Sequence, residues 1–365
     1  MSIKNLRDQL TGIDRELIEL VARRQQVVSE IGRTKRSGNQ PTRDFSRERE
    51  VLELARRNAT ELGVPEHVAE TLMGELIRAS LTHQEQTRVV AEGQGSGQRA
   101  LVIGGAGKMG RWFGKFLGSQ GFAVEVADPA PVAECQRHYA DWRQAELDHD
   151  LIVVATPLGI TAHVLAELAE LKPDGLILDI GSLKTPLRDS LKAAAAAGCN
   201  ITSVHPMFGP DTELLSGRHV IFIDCGCPEA TRSARALFAS TMAELLDMEL
   251  DEHDRLIAYV LGLSHVLNIA FFTALTESRE TAEKLARMSS TTFDAQLEVS
   301  AKVAGENPAL YFEIQAMNDH GGEPLQALER AVTRLRQLVQ EGDEGSFATM
   351  MLAGRDYLRM VDKDR

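Results

Sequence analysis

The glycines that follow the apolar run at residues 99–103 have the spacing of a phosphate-binding loop. Gly105, Gly107 and Gly110 fit the pattern G-x-G-x-x-G. The first glycine permits a tight turn, the second lets the backbone approach a pyrophosphate, and the third lets the following helix pack against the strand. The predicted contacts with a dinucleotide are the residues of this turn and the first residues of its helix: Gly105, Ala106, Gly107, Lys108, Met109 and Gly110.

Asp128 follows a second apolar run, residues 122–127, and lies 18 residues beyond Gly110. An acid at this position can bind the hydroxyls of an adenosine ribose and would repel a 2'-phosphate, so NAD is predicted rather than NADP. The alternative is that Asp128 is only a turn residue before Pro129.

His205 is the strongest candidate for a general base. It lies directly after an apolar run, in the stretch HPMFGPD, whose prolines and glycine would hold it rigidly. A histidine at such a position can accept the proton of an alcohol during its oxidation. A helix cap or a core histidine fits the spacing about equally well. Other polar residues predicted at the same edge of the sheet are Thr156, Pro157, Ser182 and Lys184.

Arg24 interrupts an apolar seam on the first predicted helix. The seam repeats every three or four residues, and Arg24 lies in it between Leu20 and Val27. Its apolar members are Leu6, Leu10, Ile13, Leu17, Leu20, Val27 and Ile31. A charge at a seam position requires a carboxylate partner or an anionic ligand, or else the side chain reaches solvent or fixes the helix register. Because three such helices bury little area alone, the seam predicts an intertwined helical dimer.

The third predicted helix carries a stripe at four-residue spacing that starts apolar and ends polar. Leu72 and Leu76 are followed by Ser80 and Gln84. This order indicates a helix that leaves a core and enters a polar pocket, or one that returns to solvent near its end.

These elements predict a multidomain chain of 365 residues. Residues 1–90 form an all-α domain, residues 91–98 a flexible Gly/Ser-rich linker, residues 99–250 an α/β Rossmann domain, and residues 251–365 an all-α dimerisation domain. The apolar runs of the central region do not alternate with polar residues, as expected for a parallel sheet buried on both faces. The C-terminal helix that carries His253 and His265 has a broad apolar face, which predicts packing in a second core or across a dimer.

Composition narrows the class of ligand. The formal charge of −13 argues against a nucleic-acid partner, although residues 1–50 hold 11 basic against 8 acidic residues, a local excess that suits a small anion. Four cysteines show neither a disulfide framework nor zinc-ligand spacing, so no metal is predicted. No apolar run approaches the length of a membrane span, which predicts a cytoplasmic protein with no membrane partner.

Residues 5–88 resemble the all-helical chorismate mutase family. The resemblance implies that Arg7, supplied across a dimer, joins Arg24 and Lys35 in binding the two carboxylates of the substrate chorismate. The run RDxxRE matches Arg43, Asp44, Arg47 and Glu48. It implies further substrate contacts from Asp44 and Arg47 and places Glu48 near the ring hydroxyl.

Ser80 and Gln84 match the polar pair on the third helix of the mutase family. The resemblance implies that Gln84 and Lys35 hydrogen-bond the ether oxygen whose bond breaks. The reaction is a Claisen rearrangement, which needs a held conformer and charge stabilisation rather than a nucleophile. The implied catalytic residues of this domain are therefore Lys35, Glu48 and Gln84.

Residues 99 to about 355 resemble prephenate dehydrogenases, on the runs DxGSxK, HPMFGPD and HD…SH. The order of the two regions is that of the bifunctional chorismate mutase/prephenate dehydrogenase family. The resemblance implies that Ser182 and His205 contact the substrate alcohol, with His205 as the base, and that His265 lies in the substrate pocket. It also implies NAD as cofactor, prephenate as second substrate, tyrosine biosynthesis as the role, and a homodimer.

One position departs from the family pattern. Lys302 stands where the family's carboxylate-binding arginine aligns, and Asp294 stands where some bifunctional members have another arginine. Lysine keeps the charge but lacks the bidentate fork. Two alternatives therefore stay open: the same reactions on 4-amino-4-deoxychorismate and 4-amino-4-deoxyprephenate, and a non-enzymatic NAD-binding sensor.

Overall fold

The N-terminal region is three helices in the computed structural model, which describes residues 2–38, 40–133 and 135–361. Helix α1 spans Ile3–Ser37, α2 spans Phe45–Leu62 and α3 spans Glu66–Ala91. Each begins or ends where local chemistry favours it. The Ser2 hydroxyl and the Asp44 carboxylate cap α1 and α2, and Gly63 closes α2 in the left-handed conformation.

The seam of α1 is exposed in the single chain. The seven apolar seam residues each retain 45–58% of their accessible surface. Such a row of exposed leucines, isoleucines and valines is unfavourable in water unless a further surface covers it.

The segment between α3 and the sheet is not the flexible linker that its composition predicts. Gly95 is buried and donates its N–H to the Gln120 carbonyl at 3.0 Å, and Ala123 donates to the Gln98 carbonyl at 2.9 Å. A Cβ at Gly95 would lie 2.1 Å from the Phe122 ring. The glycines therefore permit a close approach of this segment to residues 120–123, which composition alone does not distinguish from flexibility.

An eight-stranded sheet with order β3-β2-β1-β4-β5-β6-β7-β8 forms the centre of the chain. The strands are β1 Arg99–Ile103, β2 Ala123–Ala127, β3 Arg137–Tyr139, β4 Leu151–Val154, β5 Leu176–Asp179, β6 Ile201–Pro206, β7 His219–Ile223 and β8 Glu244–Asp247. The helices between them are α4 Lys108–Ser119, α5 Leu158–Leu171, α6 Arg188–Ala196 and α7 Pro228–Phe238. Strands β1, β4 and β5 are almost completely buried, as their non-alternating apolar sequences predict.

The sheet differs from the prediction at one edge. Strand β7 runs antiparallel to β6, with His205 opposite Ile221, and β8 is parallel to β7. The connection from β6 to β7 is only residues 207–218 and contains no helix. A parallel crossover usually contains a helix, and this connection has none, so it returns the chain in the opposite direction.

The C-terminal region is helical. Its elements are α8 Leu250–Ile257, a π-helical segment Ala258–Leu263, α9 Ser264–Glu277, α10 Ala282–Arg287, α11 Thr291–Ala304, α12 Pro308–Ala316, α13 Gly322–Glu341 and α14 Glu344–Val361. Among the described residues, the continuous helix 250–277 is long and apolar enough to cross a membrane by length and composition. The prediction that no such run exists was wrong. Uncharged polar residues interrupt this helix, but they do not lower its mean hydropathy below that of a membrane span. Core helices of soluble proteins pass the same test.

The chain divides into two compact units. One contains residues 1–182 and 189–248, so it holds both the three N-terminal helices and the sheet. The other contains residues 183–188 and 249–365.

Candidate active sites

A polar cluster lies between α1 and α3. Arg24 donates from Nη1 to the Leu76 carbonyl at 2.9 Å and also to the Ser80 hydroxyl. Burial lowers the pKa of the Arg24 guanidinium, which nevertheless remains charged at any physiological pH. Within the part of the chain that the structure describes, the seam arginine is therefore held by neutral oxygens of α3 and pairs with no carboxylate.

Gln84 and Lys35 line a pocket beside this cluster. Gln84 is 8% exposed and donates from Nε2 to the Val28 carbonyl at 3.3 Å. Lys35 donates from Nζ to the Thr42 carbonyl at 2.8 Å. The walls of the pocket carry three cations and several amides: Gly32, Lys35, Arg36, Gln40, Thr42, Gln84, Arg88 and Glu92. The stripe on α3 thus enters a polar pocket rather than returning to solvent.

The residues of the RDxxRE run, at the start of α2, make three different kinds of contact. Arg43 makes a bidentate ion pair with Glu48, with both N···O distances 2.9 Å. The Asp44 carboxylate accepts the Arg47 backbone N–H at 3.0 Å, which makes it the helix cap. The Arg47 side chain points to solvent, where it pairs with Glu50 at 2.9 Å.

Arg7 lies far from the other predicted mutase residues of its own chain. It is exposed near the start of α1, and 17 residues of helix separate it from Arg24. At 1.5 Å per residue this corresponds to about 25 Å. One chain alone therefore does not bring Arg7 to Arg24.

The phosphate-binding loop has the predicted form, with one additional glycine. Gly104, which the pattern does not include, has φ of +86°, and a Cβ there would lie 2.6 Å from the Ala155 carbonyl oxygen. It is Gly104 rather than Gly105 that makes the left-handed turn. A Cβ at Gly110 would lie 2.2 Å from the Gly104 oxygen, so Gly110 permits the close packing of helix and loop as predicted. Gly107 caps α4 without a side chain, followed by Lys108 and Met109.

Asp128 binds the same loop. Its Oδ2 accepts the Ala106 N–H at 3.0 Å, and its Oδ1 accepts the Ala130 N–H at 2.8 Å. The turn contact and the loop contact both occur, so Asp128 is more than a turn residue. Each carboxylate oxygen retains a second lone pair for a ligand.

Thr156 and Pro157 lie after β4. Pro157 is the N-cap residue of α5, and the Thr156 hydroxyl lies 2.9 Å from the Thr161 hydroxyl. The Thr161 hydroxyl and the N-terminus of α5 therefore fix the end of β4 beside the glycine loop.

His205 lies inside a strand rather than after one. It is the fifth residue of β6 and is 4% exposed. The antiparallel partner β7 extends the pairing through Pro206, which accounts for the longer strand. The antiparallel ladder with β7 holds the backbone at His205 from one side, while the pairing of β6 with β5 ends at Ser203.

The segment that follows Ser182 is fixed by a buried carboxylate. Asp254 is fully buried and accepts the Lys184 N–H at 2.9 and 3.0 Å and the Thr185 N–H at 2.5 Å. His253 Nδ1 lies 2.6 Å from the same carboxylate. Burial raises the pKa of Asp254, but these hydrogen bonds outweigh that effect and hold it below the ordinary 3.8. Lys184 is fully buried in the same segment.

His265 is the second residue after the π-helical segment. Its ring stacks on Tyr311 with centroids 4.1 Å apart, and burial lowers its pKa below 6.5. His265 is therefore neutral at pH 7 and offers a hydrogen bond rather than a charge. The Gln315 amide donates to the Gly262 carbonyl at 3.0 Å, which satisfies a carbonyl of the π-helical segment.

Lys302 lies on an exposed face of α11. Its Nζ pairs with Glu298 at 2.9 Å, and both side chains are 72% exposed. Asp294 accepts a hydrogen bond from Ser289 near the start of the same helix.

Sequence reasoning assigned no role to Gly104, Asp254 or Glu85. Gly104 was detectable as the glycine directly after β1, and Asp254 as the second residue of the HD run. Glu85 binds backbone groups of Leu215 and Met242, contacts that no local pattern signals.

Comparisons with known proteins agree with this division of the chain. Family models match in three places: chorismate mutase type II over residues 6–85, the nucleotide-binding domain of prephenate dehydrogenase over 131–244, and the prephenate dehydrogenase dimerisation domain over 249–353. The structure of prephenate dehydrogenase from Aquifex aeolicus in complex with hydroxyphenyl propionate and NAD+ has a TM-score of 0.60 at 18% identity, over 72% of this chain and 98% of the other. At that identity the likeness shows the fold.

Curated relatives cover nearly the whole chain. The T-protein of Enterobacter agglomerans is 29% identical over 94% of this chain and 89% of its own length. The T-protein of Haemophilus influenzae is 23% identical over 98% and 92%. The 4-amino-4-deoxyprephenate dehydrogenase of Streptomyces pristinaespiralis is 30% identical over 71% of this chain and 91% of its own. With a mutase domain before a two-part dehydrogenase, the chain belongs to the family of bifunctional chorismate mutase/prephenate dehydrogenases.

Proposed function

We propose that the protein catalyses two consecutive steps of tyrosine biosynthesis. The N-terminal helices rearrange chorismate to prephenate, and the rest of the chain converts prephenate to 4-hydroxyphenylpyruvate by NAD-dependent oxidative decarboxylation. The observation that carries the proposal is the polar surface between α1 and α3, where Arg24 contacts Leu76 and Ser80 and where Lys35 and Gln84 line one pocket. Family models for both activities support it in the same order along the chain.

The mutase pocket has the groups that the rearrangement requires. The reaction has no obligatory proton transfer, so its rate depends on holding the compact conformer of chorismate and stabilising charge on the ether oxygen. Arg24 would bind a carboxylate, because among the described residues its Nη1 contacts only the neutral oxygens of Leu76 and Ser80. Lys35 and Gln84 supply the hydrogen-bond donors for the ether oxygen, and Glu48 would face the ring hydroxyl.

The glycine loop fits NAD. Cβ atoms at Gly104, Gly105 or Gly110 would lie within 2.6 Å of the protein's own atoms, so glycine is needed for the loop to fold this closely. Gly107, where a Cβ would lie 3.2 Å from the Gly104 oxygen, is the glycine at which a pyrophosphate would approach the backbone. Residues Gly105 to Gly110, with Thr156 and Pro157, would hold the cofactor, and Asp128 would bind its ribose hydroxyls. When bound, NAD accepts a hydride from the substrate carbon.

His205 is the proposed base of the oxidation. It would accept the proton of the ring alcohol, while Ser182 hydrogen-bonds the same oxygen and neutral His265 contacts the substrate. Asp254 supports this arrangement, because it fixes the backbone two residues beyond Ser182. Loss of the ring carboxylate as carbon dioxide follows because the product ring is aromatic. Lys302 is proposed to bind a substrate carboxylate.

The proposed assembly is a homodimer in the cytoplasm. The exposed seam of α1 and exposed apolar residues of α14, including Met351, Tyr357 and Leu358, are surfaces that a second copy would cover. A dimer through α1 would also bring Arg7 of one copy toward Arg24 of the other.

A second substrate pair has two observations in its favour. The relative from Streptomyces pristinaespiralis is a 4-amino-4-deoxyprephenate dehydrogenase at 30% identity, and Lys302 replaces the expected arginine. Two T-proteins that match over 94% and 98% of the chain favour prephenate.

A product assay tests the proposal. Purified full-length protein with chorismate and NAD should release 4-hydroxyphenylpyruvate and form NADH, faster than with NADP. The same assay with 4-amino-4-deoxychorismate should be much slower. Faster turnover of the amino compound would show that the 4-amino-4-deoxy compounds are the preferred substrates. NAD binding without turnover of either compound would support the sensor alternative.

A further inference from the structure

The connection between β6 and β7, residues 207–218, contacts the mutase helices at its far end. We call it the β6–β7 loop. It starts two residues after His205 and reaches Leu215 and Ser216 beside α2 and α3. The Trp112 indole donates to the Thr212 carbonyl at 3.0 Å, which attaches the middle of the loop to α4.

Ser216 is linked through Arg43 to Glu48, a residue of the proposed mutase site. Its hydroxyl accepts a hydrogen bond from Arg43 Nη1 at 2.7 Å. Arg43 uses its remaining nitrogens, Nε and Nη2, to bind both oxygens of Glu48 at 2.9 Å. The side chains of Arg43 and Glu48 are 30% and 19% exposed, so the pair is largely shielded from water. The Glu48 carboxylate is therefore oriented by the Arg43 guanidinium, whose Nη1 is bound to Ser216 of the sheet domain.

Glu85 makes the second attachment, from the residue next to Gln84. It is 3% exposed, and its carboxylate accepts the Leu215 N–H at 2.7 Å and the Met242 N–H. Burial raises the pKa of Glu85, while these two N–H groups stabilise the charged form. A buried carboxylate with two backbone donors fixes the end of α3 against the loop more rigidly than apolar contact would.

We propose that Ser216 and Glu85 are positioning residues of the mutase site, so that the β6–β7 loop of the dehydrogenase region completes the mutase pocket. Ser216 acts through Arg43 on Glu48, and Glu85 acts through the α3 backbone on Gln84. The inference rests on the proposed assignment of Glu48 and Gln84 to that site.

The first test is a double-mutant cycle on the full chain, with kcat and KM measured for chorismate. Ser216→Ala should lower mutase kcat/KM by about 3- to 30-fold, the range of coupling between contacting residues. Ser216→Thr, which keeps the hydroxyl, should restore it. In an Arg43→Ala background Ser216→Ala should have no further effect. Thr212→Ala, on the same loop, is the matched control.

The second test is Glu85→Gln, compared with Glu213→Gln on the exposed part of the loop. The amide can accept only one of the two backbone N–H groups, so mutase kcat should fall by about 3- to 30-fold. Oxidation of supplied prephenate should stay within about twofold of wild type for Ser216→Ala and Glu85→Gln.

Three results would overturn the inference: unchanged mutase kinetics in both variants, additive effects of Ser216→Ala and Arg43→Ala, or parallel loss of both activities with a lower melting temperature. Failure of the site assignment gives a different result, since Gln84→Ala would then leave the rearrangement intact.

Discussion

His205, the proposed base of the oxidation, lies where the ladder between β6 and β7 holds the backbone. Its side chain is almost fully buried. Such restraint favours a group whose position, rather than mobility, matters for proton transfer.

His205→Asn should therefore lower kcat for prephenate oxidation by about 10²- to 10⁴-fold, the usual cost of losing a general base. KM should change little, because asparagine can still hydrogen-bond the alcohol. Steady-state kinetics with NAD check this, and mutase activity in the same preparation serves as the control for folding. Unaltered turnover would remove His205 from the mechanism.

Lys302 is tested by the split between KM and kcat. As a carboxylate contact made in both ground and transition states, its replacement by Ala should mainly raise KM for prephenate, and Lys302→Arg should keep or improve binding. Lys284→Ala is the matched control, since Lys284 makes the same kind of exposed pair four residues from Glu280. An unchanged KM in Lys302→Ala would point to another cation, such as Lys184 or Arg287.

At the scale of elements, the C-terminal unit depends on polar contacts inside its core. Asn268 accepts from Gln296 and Ser300 at 2.9 Å and joins α9 to α11. Asn318 donates to the Asp254 carbonyl at 2.9 Å and joins the segment after α12 to α8. Because each group is buried, loss of one partner costs more than the bond itself contributes.

Asp254→Asn should destabilise this unit by about 3 kcal/mol at pH 7, because backbone donors lose their acceptor in a buried site. The folded pKa of Asp254 lies below the unfolded 3.8, so its contribution is present above that pH and is lost as pH falls through the folded pKa. Thermal unfolding of wild type and variant should therefore differ at pH 7 and converge only as the pH falls below the folded pKa, which itself lies below 3.8. Asp251→Asn, an exposed acid on the same helix, should have little effect. A constant difference down to low pH would contradict the assignment.

At the scale of the whole molecule, α1 has one exposed apolar row and two arginines that lie far apart along the helix. Arg7 and Arg24 are about 25 Å apart along one helix, so a site that uses both requires two chains.

Mixing two inactive variants tests this directly. Arg7→Ala and Arg24→Ala should each lose most mutase activity as homodimers. Denatured and refolded together in equal amounts, they should recover about a quarter of wild-type activity, since half of the dimers are mixed and each mixed dimer has one intact site. Arg23 is an exposed neighbour, and Arg23→Ala serves as the control partner. The mutase activity of its mixture with Arg24→Ala should equal the mean of the two separate preparations. No recovery in mixed dimers would mean that each site is built from one chain.

The sequence alone determined the features that arise from neighbours in the chain. The long helix α1, the burial of Ser80 and Gln84 on α3 and the buried runs of β1, β4 and β5 agree with the prediction. The glycine turn between β1 and α4 also lies where it was predicted, although Gly104 rather than Gly105 makes it. Each is a local pattern whose period or turn chemistry sets the backbone within a few residues.

Only the tertiary structure decided the features that join distant residues. The reversal of β7, the packed linker at Gly95, and the attachment of Leu215 to Glu85 across 130 positions leave no periodic signal. The carboxylate of Asp254 finds the backbone of Lys184 and Thr185 across about 70 positions. In each case a buried polar group or a close backbone approach needs a partner, and which partner it meets is fixed by how the elements pack.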